Sequence, residues 1–319
     1  MKRYSNLYQE ICSKDNLRLA DQRARRGKRG QYGVSNHDKH SEAHLECLFV
    51  LLKEKTYKTS SYKTATIYEP KERTIYKLPY YPDRIVHHAV MNLLEPIFTS
   101  LFTADTYSCI KGKGILGLKN AIRRSLDTDM AGTTYCLKLD IQKFYGNIDH
   151  DILKGMLRRK FKDRDLLWLL DEIIDSADGV PIGNYLSQYF ANFYFTPFDH
   201  WIKEQMGVIH YFRYADDIVI FSDSKPFLHE LLAAIKEYLK TNLKLTVKRN
   251  HRVSPVWCGV DVGGYKHFPR HTLLRPSIKK NFARAVFRKK SSHCIASYRG
   301  WAKHCNSKHL LKKLLNETV

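Results

Sequence analysis

Hydrophobic residues return at helical spacing early in the chain: Leu45, Leu48, Phe49 and Leu52 fall on one face of a helix predicted over 42–55. A Tyr-, Thr- and Ile-rich stretch over 56–80 follows and predicts a β-hairpin with Lys71-Glu72-Arg73 as its turn. Pro82-Asp83 reads as a helix start, with Val86, Val90, Leu93 and Leu94 as the apolar stripe. The turn Lys111-Gly112-Lys113-Gly114 opens a helix over about 116–126. A strand is predicted over 135–141, a helix from Asp149 or His150, another over 164–175, and a long aromatic helix over roughly 185–206. Two runs rich in β-branched and aromatic residues, 209–214 and 218–221, then flank Asp216-Asp217 and predict strand–turn–strand. A helix over 226–241, a strand over 243–248, a hairpin around Trp257–Tyr265 and two or three short basic helices over 276–316 complete the pattern. The middle order, β-α-β-β-α-β, is the split βαβ arrangement of a ferredoxin-like sheet.

The acidic hairpin changes this from a fold question to a chemical one. Two adjacent carboxylates at the tip of a buried hairpin repel each other and are costly to desolvate. A divalent cation offsets both costs, and that points to phosphoryl transfer on a nucleic acid. A metal-dependent polymerase needs carboxylates from separate strands to hold two cations roughly 4 Å apart. Asp140, at the end of Tyr135-Cys-Leu-Lys-Leu-Asp140, is the expected second contributor.

Charge supports a polyanionic partner. The 319 residues carry 54 Lys and Arg against 32 Asp and Glu, a net charge of +22. Ten basic residues against four acids lie in 1–40, and thirteen against one in 270–319. A nearly neutral body between two phosphate-gripping clamps is the expectation. Seven cysteines without a Cys-x-x-Cys spacing predict neither a disulfide framework nor a zinc ribbon, and fit a reducing cytoplasm. With no membrane-length apolar run and no signal-peptide core, the chain is expected to be soluble, cytoplasmic and not exported.

Tyr214-Ala-Asp-Asp217 resembles the active-site hairpin of reverse transcriptases, and other blocks of that family follow in order over about 40–265. Asp140 to Ile148 resembles the first palm motif, and Asp83-Arg-Ile-Val-His-His-Ala89 an early fingers block. The resemblance implies an α+β right-hand polymerase with fingers, ferredoxin-like palm and short helical thumb. Its expected segments are a basic N-terminal extension (1–40), fingers with part of the palm (41–134), palm with a fingers insertion (135–268) and a basic thumb (269–319). It implies that Asp140 and Asp216 ligate two Mg²⁺ ions, with Mn²⁺ an acceptable substitute. The Ile141 carbonyl would assist, and Asp217 would be a weaker ligand or charge neutraliser. Phe144 and Tyr145 would meet the substrate, Tyr145 as a steric gate against a ribose 2′-OH. Arg73, Lys77, Lys111 and Lys113 are the candidates to meet the incoming triphosphate. The position of a pyrophosphate-protonating lysine falls on His251, with Lys248 and Arg249 near enough to substitute. Gly259-Val-Asp-Val-Gly-Gly264-Tyr265 resembles the primer-grip hairpin, and Lys279, Lys280, Arg288, Lys289 and Lys290 are the expected thumb contacts to nucleic acid.

The block Val180-Pro-Ile182-Gly183-Asn-Tyr-Leu-Ser-Gln188 separates subclasses. Most relatives have Gln-Gly and Ser-Pro here. The Ile-Gly and Ser-Gln form resembles reverse transcriptases of diversity-generating retroelements, as does Ile295 to His304 in the thumb. That subclass copies a template RNA into cDNA with errors at adenines (mutagenic retrohoming), is prokaryotic or phage-encoded, and works with a basic oligomeric accessory variability protein. Replacing an amide by Ile182 removes a donor and an acceptor beside the nascent pair, so mispairs leave fewer polar groups unsatisfied. Roughly 55 residues follow Tyr265, so no RNase H or endonuclease domain is expected. Two other readings stay open: a retron, CRISPR-associated or phage-defence reverse transcriptase of ordinary fidelity, and a non-catalytic RNA-binding scaffold of polymerase shape.

Overall fold

The computed structural model describes residues 3–68 and 72–315. Two compact units interleave along the chain: Met1–Phe102, Lys143–Pro197 and Lys240–Leu245 form the first, and Thr103–Gln142, Phe198–Leu239 and Thr246–Val319 the second.

The first unit is mostly helical, and several helix starts have a local cause. Ser13 accepts a hydrogen bond from the Asn16 amide and caps helix Lys14–Ala24. Asp149 does the same at the Ile152 amide for helix His150–Lys160, whose last turn carries Arg158, Arg159 and Lys160 against the dipole. Asp163 caps helix Arg164–Ile174 through the Leu166 amide, and its other oxygen accepts from the Leu7 and Tyr8 amides. The basic N-terminal segment belongs to this core. Helix Lys14–Ala24 packs on helix Ile85–Thr99 with Leu17 and Ala20 buried, and Asn16 Nδ2 donates to the Ile11 and Ala89 carbonyls at 2.8 and 3.0 Å. Of the expected apolar stripe on the latter helix, Val86, Val90 and Leu94 are buried. Strands β1 (Lys63–Ile67) and β2 (Arg73–Lys77) form the expected hairpin, with Lys63 opposite Lys77 and Ile67 opposite Arg73. Lys71, expected in its turn, lies outside the described residues.

The second unit is built on a four-stranded antiparallel sheet of β3 (Tyr135–Asp140), β4 (His210–Tyr214), β5 (Asp217–Ser222) and β6 (Arg252–Pro255), in the order β4-β5-β3-β6. This is the strand order of the expected ferredoxin-like unit. Ile218, Val219 and Ile220 have no exposed surface, so both faces of β5 are covered. One expectation fails. The strand predicted over 243–248 is reduced to a single bridge between Val247 and Ile141, and Arg252–Pro255 takes the ladder position beside β3. Leu245 and Val247 are buried and give the alternation that suggested a strand. Lys244 adopts a positive φ of 49°, which turns the chain out of an extended path before a ladder can form.

A second sheet follows, β7 (Val260–Val262), β8 (Tyr265–His267) and β9 (Thr272–Leu274) in sequential order. Helices Pro276–Phe287, Ser292–Ala302 and Lys308–Leu315 close the described chain, around Tyr265, Leu274, Phe282 and Ala302.

Candidate active site

Sheet register brings the expected acids together. Asp140 ends β3, Asp217 opens β5, and the two are direct cross-strand partners, while Asp216 lies in the turn just before β5. Like charges placed opposite each other weaken a sheet, so the pairing needs an external reason. Burial, followed by the nearby Asp140 carboxylate and the charge of Asp217, pushes the Asp216 carboxyl up to about 6. Asp140 accepts from Lys248 Nζ at 2.7 Å through Oδ2, but its Oδ1 is buried with no hydrogen-bond partner. A buried, unpartnered carboxylate oxygen beside a carboxyl raised by burial makes an all-oxygen, anionic pair. Among the described residues, no three His, Cys, Asp or Glu side chains are gathered as a complete metal cage. Asp140 and Asp216 are the pair drawn together.

The turn carrying Asp216 is held from outside. Ala215 has a positive φ of 53°; its amide donates to Ser108 Oγ at 3.0 Å and its carbonyl accepts from Arg213 Nη1 at 3.2 Å. Arg213 is fully buried near the end of β4, and its Nε and Nη2 donate to the two oxygens of Asp199 at 2.7 and 2.5 Å. Asp199, also fully buried, accepts from Tyr211 Oη at 2.5 Å and from Thr106 Oγ1 at 3.3 Å. The Arg213 main chain is bonded on both sides, to the Asp105 carbonyl and the Tyr107 amide. None of Arg213, Asp199 and Ser108 was expected from the sequence. The available signal was the arginine itself, since a cation inside an otherwise apolar strand must find a buried anion.

Other expected residues of this unit are placed less uniformly. Lys248, not His251, reaches Asp140; His251 Nδ1 bonds the Lys248 carbonyl at 2.8 Å and its Nε2 lies 3.2 Å from Lys236 Nζ. The Lys248 amide donates to the Asp140 carbonyl at 2.8 Å, so the single bridge in this segment is what sets the lysine beside the acid. Ile141 is buried directly after Asp140. Lys111 is exposed in its glycine turn. Lys113 donates to the Ala104 and Thr106 carbonyls at 2.8 and 3.0 Å, so its ammonium is engaged by its own loop. Tyr265 closes the glycine hairpin. It is 2% exposed, packs on Trp301 and donates to that residue's carbonyl at 3.1 Å. Gly264 has a φ of 85°, and a Cβ there would lie 2.3 Å from the Trp301 ring, so packing as well as turning requires glycine. Gly259 has a φ of 84° and turns the chain into β7. Lys279, Lys280, Arg288, Lys289 and Lys290 are all exposed on or just after helix Pro276–Phe287.

The remaining candidates lie in the first unit. Phe144 is buried edge-on against Phe195, and Tyr145 is half-buried at the start of a short 3₁₀ turn with its carbonyl bonded to the Val180 amide. Arg73 and Lys77 are exposed and, being even-spaced on β2, share a face. The Tyr76 amide donates to the Ile182 carbonyl at 2.8 Å, and a Cβ on Gly183 would lie 2.3 Å from the Tyr76 carbonyl oxygen. Gly183 is thus fixed by close backbone approach, and its φ of 123° adds to the need. Ile182 is half-buried and Gln188 exposed.

Residues 69–251 match the family model described as reverse transcriptase (RNA-dependent DNA polymerase). Similar curated proteins include the group II intron-encoded protein LtrA of Lactococcus lactis, 23% identical over 52% of this chain and 29% of its own length. Retron Ec73 reverse transcriptase of Escherichia coli is 23% identical over 74% of this chain and 80% of its own. Nuclear intron maturase 1 of Arabidopsis thaliana is 25% identical over 31% of this chain, which spans only 14% of that relative. Among solved structures, telomerase from Candida albicans superposes with a TM-score of 0.53 at 10% identity, over 73% of this chain and 51% of that one. Likeness at that identity speaks to the fold, and the fold is the expected α+β polymerase with a ferredoxin-like palm. With more than half of its length matched, the chain belongs to the reverse transcriptase family.

Proposed function

We propose that this chain is an RNA-directed DNA polymerase that copies a retroelement template RNA into cDNA with elevated error at template adenines. The observation that supports polymerisation best is the convergence of Asp140 and Asp216, with Asp140 Oδ1 left buried and unpartnered. Those residues fit a hard divalent cation, all-oxygen and anionic. Asp140 and Asp216 would hold Mg²⁺, with Asp217 and the Ile141 carbonyl nearby, and the ion would supply charge stabilisation to the transferring phosphoryl group. The chain's own part is to present these oxygens on a fixed turn, and to keep Lys248 beside Asp140 as a proton donor for the departing pyrophosphate. Tyr145 is assigned sugar discrimination, and Arg73 and Lys77 phosphate contact. Primer extension on heteropolymer RNA with Mg²⁺ and dNTPs tests the core of the reading: extended cDNA is expected, and a primer left unextended by a folded chain that binds the RNA refutes it.

Fidelity is the finer part of the proposal. Ile182 has no side-chain hydrogen-bonding group, and hydrogen-bond discrimination is worth on the order of 1–3 kcal/mol, about tenfold or more in selectivity. Ile182→Gln is expected to lower misincorporation opposite adenine by about tenfold, read by sequencing the cDNA. An unchanged adenine error rate in an active Ile182→Gln enzyme leaves Ile182 as packing only. An accessory protein belongs to the same reading. The retron relative, which matches most of this chain, favours a second one of ordinary fidelity. Adenine-directed errors in the parent products distinguish the two.

The basic thumb gives an independent test. Neutralising Lys279, Lys280, Arg288, Lys289 and Lys290 to Gln should weaken binding to an RNA–DNA hybrid. It should also flatten the slope of log affinity against log salt, by about 0.7–0.9 for each phosphate no longer neutralised. Identical slopes before and after would take the thumb out of nucleic-acid binding.

A further inference from the structure

His150 opens helix His150–Lys160, directly behind the Asp149 cap and close along the chain to Tyr145. Its Nε2 lies 2.7 Å from the Gly179 carbonyl, a group that can only accept, so Nε2 carries a proton and donates. Its Nδ1 lies 3.3 Å from Asp175 Oδ1, at the end of helix Arg164–Ile174, a contact that becomes an ion pair when the ring is charged. Lys154 Nζ donates to the same carboxylate at 2.5 Å. The half-buried ring is thus held at both edges, by a main-chain carbonyl on one side and a carboxylate on the other.

The Gly179 carbonyl leads back to Tyr145. Gly179 and Val180 are buried, and the Val180 amide donates to the Tyr145 carbonyl at 2.8 Å. A Cβ on Gly179 would lie 2.5 Å from that same Tyr145 oxygen and 2.7 Å from the Gly146 carbonyl carbon, so the two main chains touch directly. The Gly179 carbonyl and the Val180 amide belong to one planar trans peptide, whose two ends point in opposite directions. His150 holds one end of that plane and Tyr145 is held by the other. A rotation of the plane would break both bonds together. A buried carbonyl needs a donor, and here His150 supplies it. Phe144 anchors the same turn from its other side, edge-on against Phe195.

We propose that His150 is a positioning residue for Tyr145. Through the Gly179–Val180 peptide it fixes the main chain of the side chain assigned to sugar discrimination, and so sets the preference for deoxynucleotides over ribonucleotides. The inference rests on that assignment of Tyr145 and extends it to a residue acting through the backbone. Rejecting a single hydroxyl by contact depends on distance, and a displacement of about 1 Å can cost on the order of a hundredfold.

The test measures single incorporation of dCTP and of CTP opposite a template guanine by the full chain, as the ratio of the two kcat/KM values. Both substrates meet the same preparation, so a partly unfolded fraction cancels from the ratio. Tyr145→Ala is the reference for a lost gate. His150→Leu, which removes the donor, should lower the dCTP-to-CTP ratio by about tenfold or more. His150→Asn, polar but too short to reach the Gly179 carbonyl, should match it and keeps the test open if leucine impairs folding. His150→Gln, whose amide can take the place of Nε2 at that carbonyl, should restore most of the ratio. Tyr145→Ala combined with His150→Leu should be no lower than Tyr145→Ala alone, because nothing is left to position. A parental ratio in the leucine and asparagine variants, beside a lowered one in Tyr145→Ala, overturns the inference and leaves the gate standing. A parental ratio in Tyr145→Ala removes the gate, and the inference with it. A double variant lower than Tyr145→Ala, or a glutamine variant no better than leucine, gives His150 an effect independent of this contact and equally overturns it.

Discussion

Asp140→Asn and Asp216→Asn are each expected to reduce cDNA synthesis by at least about a thousandfold while RNA binding stays within a few-fold of the parent. The size follows from the role: a bound cation contributes several kcal/mol of charge stabilisation, and each 1.36 kcal/mol is a tenfold change in rate. Asn keeps the shape of Asp and removes its charge, so the ladder between β3 and β5 should survive. A second readout separates metal binding from folding. The Asp216 carboxyl stands at about 6 in the folded chain, above its unfolded value near 3.8. A carboxyl raised on folding stabilises the fold in its protonated form; that contribution is full below about pH 4 and is lost as pH rises through about 6. Without divalent metal, Asp216→Asn should therefore melt above the parent at pH 7.5, and the gap should close towards pH 4. Adding Mg²⁺ should raise the parent's melting temperature and leave that of the variant nearly unchanged. A tenth of parental synthesis surviving in Asp140→Asn would end the assignment of these acids to catalysis.

The acids were legible in the sequence because their signal is local. β-branched and aromatic runs on either side of Asp216-Asp217 fix a hairpin, and the apolar run ending at Asp140 fixes the strand that pairs with it. What escaped depends on partners distant along the chain. Leu245 and Val247 alternate as strand residues do, yet whether they pair is decided by the φ of Lys244 and by competition from Arg252–Pro255 for the edge of β3. Tyr265 follows a glycine hairpin that is plain in sequence. Its burial is set by Trp301, a residue 36 positions further on. Lys113 lies in a glycine turn of the kind that approaches phosphate, but its ammonium reaches back to the Ala104 and Thr106 carbonyls. Register and turn chemistry are written in neighbouring residues, whereas side-chain partners are written in the tertiary fold. The cation of Arg213 shows the difference most plainly: strand position is readable, Asp199 as its partner is not.

That buried pair should prove the most stability-critical polar contact of the second unit. Asp199→Ala leaves the Arg213 guanidinium with no anion in a fully buried setting, and breaking such a pair from one side costs about 3–5 kcal/mol. Urea unfolding should show that loss as a lower midpoint at constant slope. Removing the charged set by Asp199→Leu, Arg213→Met and Tyr211→Phe should recover most of it, because no buried charge is then left without its partner. The recovered protein gives the functional half of the prediction. It has lost the hydrogen bond from Arg213 Nη1 to the Ala215 carbonyl, which holds the left-handed residue directly before Asp216. Synthesis should therefore stay depressed, with the Mg²⁺ concentration for half-maximal rate shifted upward and RNA affinity unchanged. Parental kcat and Mg²⁺ dependence in the triple variant would make the pair a matter of stability alone. A depressed rate with a shifted Mg²⁺ requirement in a well-folded chain would instead show that the charge buried under the hairpin exists to aim the acid at its tip.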